Sequence, residues 1–317
     1  MVRAALTIPT TLVVSLLLFL ILQVLPGNAA LSILSDTPHT IAMREALEAE
    51  LGLDRAWPVQ YVRWISDLLR GSSESLITGE PIDSIIARQL PVTLLLTLYA
   101  TLIAVAIAIP VGIIPAIHRS RMPDFVARAL TLFGRSTPAH WLSLLMLLAL
   151  LKVFRWSPPI IYTGFFEGFF DHIALMIWPA LVLAIEYGSY LSVLLRASLA
   201  ATLDHRFVTA ARARGVPESR VIYRYAIRNS LLPPVTGLGL HFGTLLGSAL
   251  VVETIFGLPG IGLGIVDAAL ARDVPVILTQ ATTLALLYQG LNIVVDLLYL
   301  VIDKRITPTS RLRGEHS

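Results

Sequence analysis

The chain alternates long apolar runs with shorter polar ones. A membrane-spanning helix needs about 20 predominantly apolar residues. Runs of about that length cover residues 5–25, 92–117, 139–154, 173–195, 232–255 and 276–302. Pro26-Gly27 stops the first, and Pro110 and Pro115 predict kinks in the second. Residues 28–88 are polar, with Asp36, Glu45, Glu48, Glu50, Asp54, Asp67, Glu74, Glu80 and Asp83. Within them, 41–51 and 57–69 have the spacing of short amphipathic helices, and Gly71-Ser72-Ser73 and Gly79-Glu80-Pro81 read as turns. Residues 124–136, with Arg128 and Arg135, read as an interfacial helix. Residues 256–275 hold Pro259-Gly260-Ile261-Gly262 and are too short and broken to span. The pattern predicts an all-α polytopic membrane protein with six transmembrane helices and a small external domain between helices 1 and 2.

Composition agrees. Of 317 residues, 56% are hydrophobic and 14% charged, where a soluble domain carries about 25% charged residues. There is no cysteine, which excludes disulfides, thiolate metal sites and cysteine nucleophiles. Lys152 and Lys304 are the lysines, and neither follows a glycine, so the chain has no phosphate-binding loop of the Walker type. Arg3 precedes an apolar run longer than the ~7–15 residues of a secretory signal. A retained first helix is therefore expected.

Charge then orients the chain. Basic residues gather on the cytoplasmic side of membrane proteins. They cluster in 118–136, 196–231 and 303–317, while 28–88 is acidic. Both termini are therefore expected inside. The domains expected are 1–27, the first transmembrane helix; 28–90, an external segment; 91–306, a five-helix core with a cytoplasmic loop at 196–231; and 307–317, a cytoplasmic tail.

That loop carries Arg196, Arg206, Arg212, Arg214, Arg220, Arg224 and Arg228 against Asp204 and Glu218. A helix over 203–214, capped by Asp204, would end at Gly215, since glycine accepts positive φ there. Pro217 suits the first turn of a second helix over 218–232. That helix would place Val221, Ile222, Tyr225 and Ala226 on one side and Arg220, Arg224 and Arg228 on another. One reading is a basic loop lying on anionic lipid. The other is a helix pair seated in a groove of a partner protein.

Thr209-Ala210-Ala211-x3-Gly215 resembles the Glu-Ala-Ala-x3-Gly motif in the coupling loop of bacterial ABC importer permeases. Threonine stands in place of the glutamate. The ending Arg228-Asn229-x-Leu231-x-Pro233 resembles that of the dipeptide, oligopeptide and nickel permeases. Leu25-Pro26-Gly27-Asn28, Glu50-Leu51-Gly52-Leu53-Asp54 with Pro58-Val59-Gln60-Tyr61, and Glu253-Thr254-Ile255-Phe256-x2-Pro259-Gly260-x-Gly262 resemble further family stretches in order. Arg272-Asp273-x-Pro275, and Asp296-Leu297-Leu298-Tyr299 through Asp303-x-Arg305, complete the series.

The resemblance implies the type I ABC importer permease fold. It implies a second homologous permease, two ATP-binding cassette ATPases and an extracytoplasmic solute-binding protein as partners, in the inner membrane. It implies no cofactor on this chain, with ATP and Mg²⁺ held by the ATPases. The cargo could be dipeptides, oligopeptides, nickel complexes or another small solute. The coupling residues would be Thr209, Ala210, Ala211, Gly215, Arg220, Arg224, Arg228, Asn229 and Pro233.

Ionisable residues inside a membrane are functional candidates because burying them is costly. Glu186 is a candidate for the translocation path, or else for pairing with a partner. Asp296 reads as structural, and Glu253 as ordering the Pro259-Gly260 turn. Gly239, Gly243 and Gly247 form a small-residue row for close helix approach, at a permease–permease interface lining the path or within the chain. His140, His172 and His241 are too scattered to read as a metal site. An ATP-independent carrier using Glu186 and Asp296 is the competing reading, and it leaves 209–215 without a role. No catalytic motif points to a membrane enzyme, and nothing points to nucleic acid.

Overall fold

A computed structural model describes residues 2–24, 27, 29–34, 40–159 and 162–302, without the side chains of 2–6 and 295–302. Its regular structure among these residues is helical, apart from an isolated bridge between Glu74 and Pro81. The helices are α1 (Val2–Val24), α2 (Ala29–Leu34), α3 (Ile41–Leu51), α4 (Trp57–Arg70), α5 (Ile82–Ile117), α6 (Met122–Ser136), α7 (Ala139–Val153) and α8 (Phe169–Leu203). They continue as α9 (Arg206–Ala213), α10 (Glu218–Arg220), a π-helical stretch (Val221–Ala226), α11 (Ile227–Ser230), α12 (Leu232–Leu240), α13 (Phe242–Phe256), α14 (Ile261–Ala271) and α15 (Val274–Ile302).

Among the described residues, α1, α5, α8 and α15 are each long and apolar enough to cross a membrane. Two broken pairs qualify if each counts as one span: α6 with α7, bent by 102°, and the 218–240 helices with α13, bent by 48°. Two expectations change here. The 232–255 span is not one helix but breaks at His241, between α12 and α13. The 92–117 run belongs to a longer helix, Ile82–Ile117, which takes in the ten residues before it. The amphipathic helices expected at 41–51 and 57–69 are α3 and α4, and Gly71 and Gly79 make their turns at φ +67°.

The chain forms two compact units. The first comprises 1–103, 137–184 and 245–287. Its core packs Phe19 of α1, Trp64 of α4 and Leu278 of α15 together, and Ile82, Ile85, Ala268, Val276 and Ile277 in a second cluster. Polar groups in this core are paired, as burial demands. Trp64 Nε1 donates to Thr279 Oγ1 at 3.1 Å. Ser75 Oγ donates to Asp273 Oδ2 at 2.5 Å, so the carboxylate at the start of α15 holds the segment between α1 and α5 in place.

Glu253, fully buried on α13, orders the turn into α14 as expected. Its Oε2 accepts the Gly262 N–H at 2.7 Å. A Cβ at Gly262 would lie 2.5 Å from the Leu250 Cα and 2.6 Å from that carboxylate. Gly262→Ala must therefore push α14 off α13, at a cost of roughly 1–3 kcal/mol for overpacking. A lower thermal aggregation midpoint for the detergent-purified variant is expected, and an unchanged midpoint would refute this packing.

The second unit comprises 104–136, 185–244 and 288–317. Here α5 and α8 approach closely: a Cβ at Gly188 would sit 3.0 Å from the Ala104 carbonyl. The smallest side chain is what lets the two backbones meet. Helix α6 lies against α8 by the same device, with Gly134 facing Ser189 and the Ile185 carbonyl.

Candidate functional site

The 196–231 loop is a compact pair of short helical stretches. Helix α9 starts after His205, and Asp204, expected as its cap, instead accepts Arg119 Nη1 at 2.9 Å. The α9 helix stops at Gly215, which has φ +75°. Its N–H reaches the Arg212 carbonyl at 2.9 Å, and the Val216 N–H reaches Ala211 at 3.2 Å, so the last carbonyls are satisfied. No atom lies within 4 Å of where a Cβ at Gly215 would stand. The backbone angle, not space, requires glycine there.

Arg212 spans the turn to Glu218, with contacts of 2.6 and 3.0 Å. That hydrogen bond, helped by coulombic attraction, holds the Glu218 carboxyl below the ordinary glutamate range. Pro217 is the residue before α10 rather than inside it.

The two stretches meet through Val208, Ala211 and Val221, all buried, with Val216 beside them. Ala211 is thus small because the second stretch crosses it. Ala226 packs with Ala116 of α5 and Leu199 of α8, which anchors the pair to the long helices.

The expected single helix over 218–232 is replaced by α10, the π-helical stretch and α11. The wider π turn puts Val221 and Ala226, five residues apart, on one buried face. Tyr225, expected on that face, is exposed instead. Arg220, Arg224 and Arg228 are exposed as the charge pattern implied, and so are Thr209, Ala210, Asn229 and Pro233. Asn229 Nδ2 donates to the Tyr225 carbonyl at 2.6 Å. The exposed loop residues therefore form a surface of cations, small side chains and the rings of Tyr223 and Tyr225.

The candidate path residues do not form one row. The break at His241 leaves Gly239 on α12 and Gly243 and Gly247 on α13. A Cβ at Gly243 would meet Tyr288 at 2.7 Å, while one at Gly247 meets nothing within 4 Å. Close approach is instead made by Gly243 and by Gly237, which packs on Leu194 and Tyr190. Tyr187 Oη donates to the Leu238 carbonyl at 2.6 Å, satisfying backbone near the break. The break explains why spacing alone misled: the i, i+4 rule holds only along an unbroken helix.

Glu186 lies half-buried on α8. Asp296 lies on α15, with its side chain outside the described residues. Leu25, Pro26, Asn28, Asp303, Lys304 and Arg305 also lie outside them. Among the described residues, no three His, Asp or Glu side chains gather as metal ligands would.

The sequence reading missed Asp124. It is buried, and Arg196 and Arg128 each reach it at 2.8 Å. The Ser120 N–H adds a third contact at 3.1 Å. The i, i+4 spacing of Asp124 and Arg128 was the visible signal. Arg196 is 72 residues away and gave none.

Comparison with known proteins accords with this architecture. Residues 108–308 match the family model described as "Binding-protein-dependent transport system inner membrane component". The chain is 34% identical to a Brucella suis biovar 1 (strain 1330) protein provisionally named a peptide transport system permease, over 96% of this chain and 97% of that one. It is 33% identical to the oligopeptide transport system permease protein AppB of Bacillus subtilis (strain 168), over 96% and 97%. Among solved structures, a chain of the inward-facing MetNI methionine ABC transporter superposes with a TM-score of 0.59 at 16% identity, covering 71% of this chain and 99% of that one. That likeness concerns the fold. With a family model over most of its length and relatives along nearly all of it, the chain belongs to the inner membrane components of binding-protein-dependent transport systems.

Proposed function

We propose that this chain is a permease subunit of an ABC importer that forms the path for di- and oligopeptides. It crosses the membrane six times, with both termini and the 196–231 loop in the cytoplasm and the segment between α1 and α5 outside. A second, homologous permease completes the path. Two ATPases dock beneath, and a solute-binding protein delivers cargo. The chain is not itself an enzyme and binds no cofactor; ATP and Mg²⁺ belong to the ATPases. ATP binding draws the ATPases together, the loop moves with them, and α5, α8, α12, α13 and α15 open outward.

One observation carries this reading. Ala211 is small because the chain packs on it, but Ala210 beside it is exposed and belongs to none of the buried clusters among the described residues. An exposed small residue flanked by Thr209 and the Arg220–Arg224–Arg228 row suits a groove of a partner protein, which a lipid surface would not require. A π-helical stretch, rare overall and frequently found at functional sites, supports the same surface. The names of the relatives favour peptides as cargo. The test is uptake in a strain deleted for this chain. Loss of labelled dipeptide and oligopeptide uptake is expected, with restoration by the intact gene. Intact peptide uptake with lost nickel uptake would reassign the cargo.

A further inference from the structure

The cleft between α6 and α8, away from the coupling surface, carries more positive charge than it neutralises. It encloses about 540 Å³ and is lined by Arg128, Arg135 and Arg196 with Thr131, Ser136 and Ser192. Arg128 and Arg196 share the carboxylate of Asp124. Arg135 has no carboxylate within salt-bridge distance among the described residues, and its guanidinium lies 5.9 Å over the Tyr190 ring. Three cations thus face one anion. On α6, Arg128 and Arg135 stand seven residues apart, ~10 Å along the helix axis. They flank the buried stripe of Asp124, Ala127, Thr131 and Gly134 that seats the helix on α8.

The rest of α6 is apolar and exposed: Met122, Phe125 and Phe133 are each more than half accessible, and so is Leu132 at the rim of the cleft. A free phosphate in the cleft would leave these side chains in water. A phospholipid covers them with its acyl chains while its phosphate meets the arginines.

We propose that this cleft binds the phosphate headgroup of an anionic phospholipid, with α6 lying at the membrane surface above the acyl chains. Arg135 supplies the charge that Asp124 does not neutralise. The leaflet follows from the orientation proposed above and is the cytoplasmic one. The headgroup preference does not depend on the importer reading, so the two fail separately.

The test is native mass spectrometry of the full chain purified in mild detergent, offered equal phosphatidylglycerol and phosphatidylcholine. The wild type is expected to retain phosphatidylglycerol preferentially. Arg135→Gln should lose about fivefold of that preference, the typical contribution of one arginine near an anionic surface. Arg135→Lys should keep most of it. The exposed position of Arg135 makes misfolding of these variants a minor concern, and an unchanged melting profile checks it. Equal retention of the two lipids by the wild type would overturn the proposal. So would undiminished preference in Arg135→Gln combined with Arg128→Gln. Displacement of the bound lipid by millimolar inorganic phosphate or by a dipeptide would equally overturn it, and would assign the cleft to a soluble anion or to cargo.

Discussion

Gly215→Val is expected to insert into the membrane normally and to lose transport. Gly215 sits at φ +75° in the turn that joins α9 to the following stretch. A β-branched residue there is a true outlier, because its Cβ meets the adjacent carbonyl. Holding a non-glycine residue in that region costs on the order of 1–3 kcal/mol. The turn is held by two backbone hydrogen bonds and the exposed Arg212–Glu218 pair. An exposed pair contributes roughly 0–1 kcal/mol. The strain is of the same order as the contacts that hold the turn, each hydrogen bond contributing about 1 kcal/mol, so the turn shifts and the angle between the two stretches changes.

Gly215 lies outside the long apolar runs that drive insertion, so membrane yield should stay near wild type. Peptide uptake should fall at least about tenfold, the factor that 1.4 kcal/mol of lost docking produces. Co-purification of the ATPase should fall with it. Gly215→Ala, with one methyl in open space and a milder φ penalty, should retain part of both activities. Wild-type uptake by Gly215→Val would remove the loop from the coupling role.

Asp124→Ala is expected to give the largest loss of stability among single changes in the second unit. The carboxylate is 1% exposed, pairs with Arg128 on its own helix and joins α6 to α8 through Arg196. Removing it leaves two guanidiniums facing each other with no anion. Breaking a fully buried pair costs about 3–5 kcal/mol. Here Arg128 is 57% and Arg196 26% exposed, so solvent recovers part of the loss. A cost of roughly 2 kcal/mol follows. Asp204→Ala removes the partner of Arg119 in a pair that is exposed on both sides, and should cost under ~1 kcal/mol. Thermal unfolding of both variants in one detergent separates them. Equal midpoints would show that burial of Asp124 contributes nothing.

The exposed basic surface of the 196–231 loop was legible from sequence because it depends on local chemistry. A glycine that must take positive φ, a proline just beyond it and three arginines at i, i+4 and i+8 are properties of neighbouring residues. The exposed cations survive even though the helix carrying them is partly π, since charge stays at the surface under either turn geometry. The buried face did not survive intact. Tyr225 falls off it because a π turn uses more residues than an α turn, and no residue type marks where one will form. The Gly239–Gly243–Gly247 row failed for a related reason. Periodicity assumes a continuous helix, and the helix breaks at His241, between Gly239 and Gly243, the very glycines the row was built on.

What the sequence determined by itself was the all-helical, membrane-spanning class and the family. Each follows from run length, composition or nearest-neighbour spacing, which the solvent and the bilayer read directly. Tertiary structure alone decided which of the two alanines is packed, that Asp124 holds two arginines, and that Arg135 is left without a carboxylate. Arg196 lies 72 residues from Asp124, and no one-dimensional pattern relates them. Only the close approach of α6 to α8 at Gly134 brings those charges together and makes a cleft with unbalanced cations.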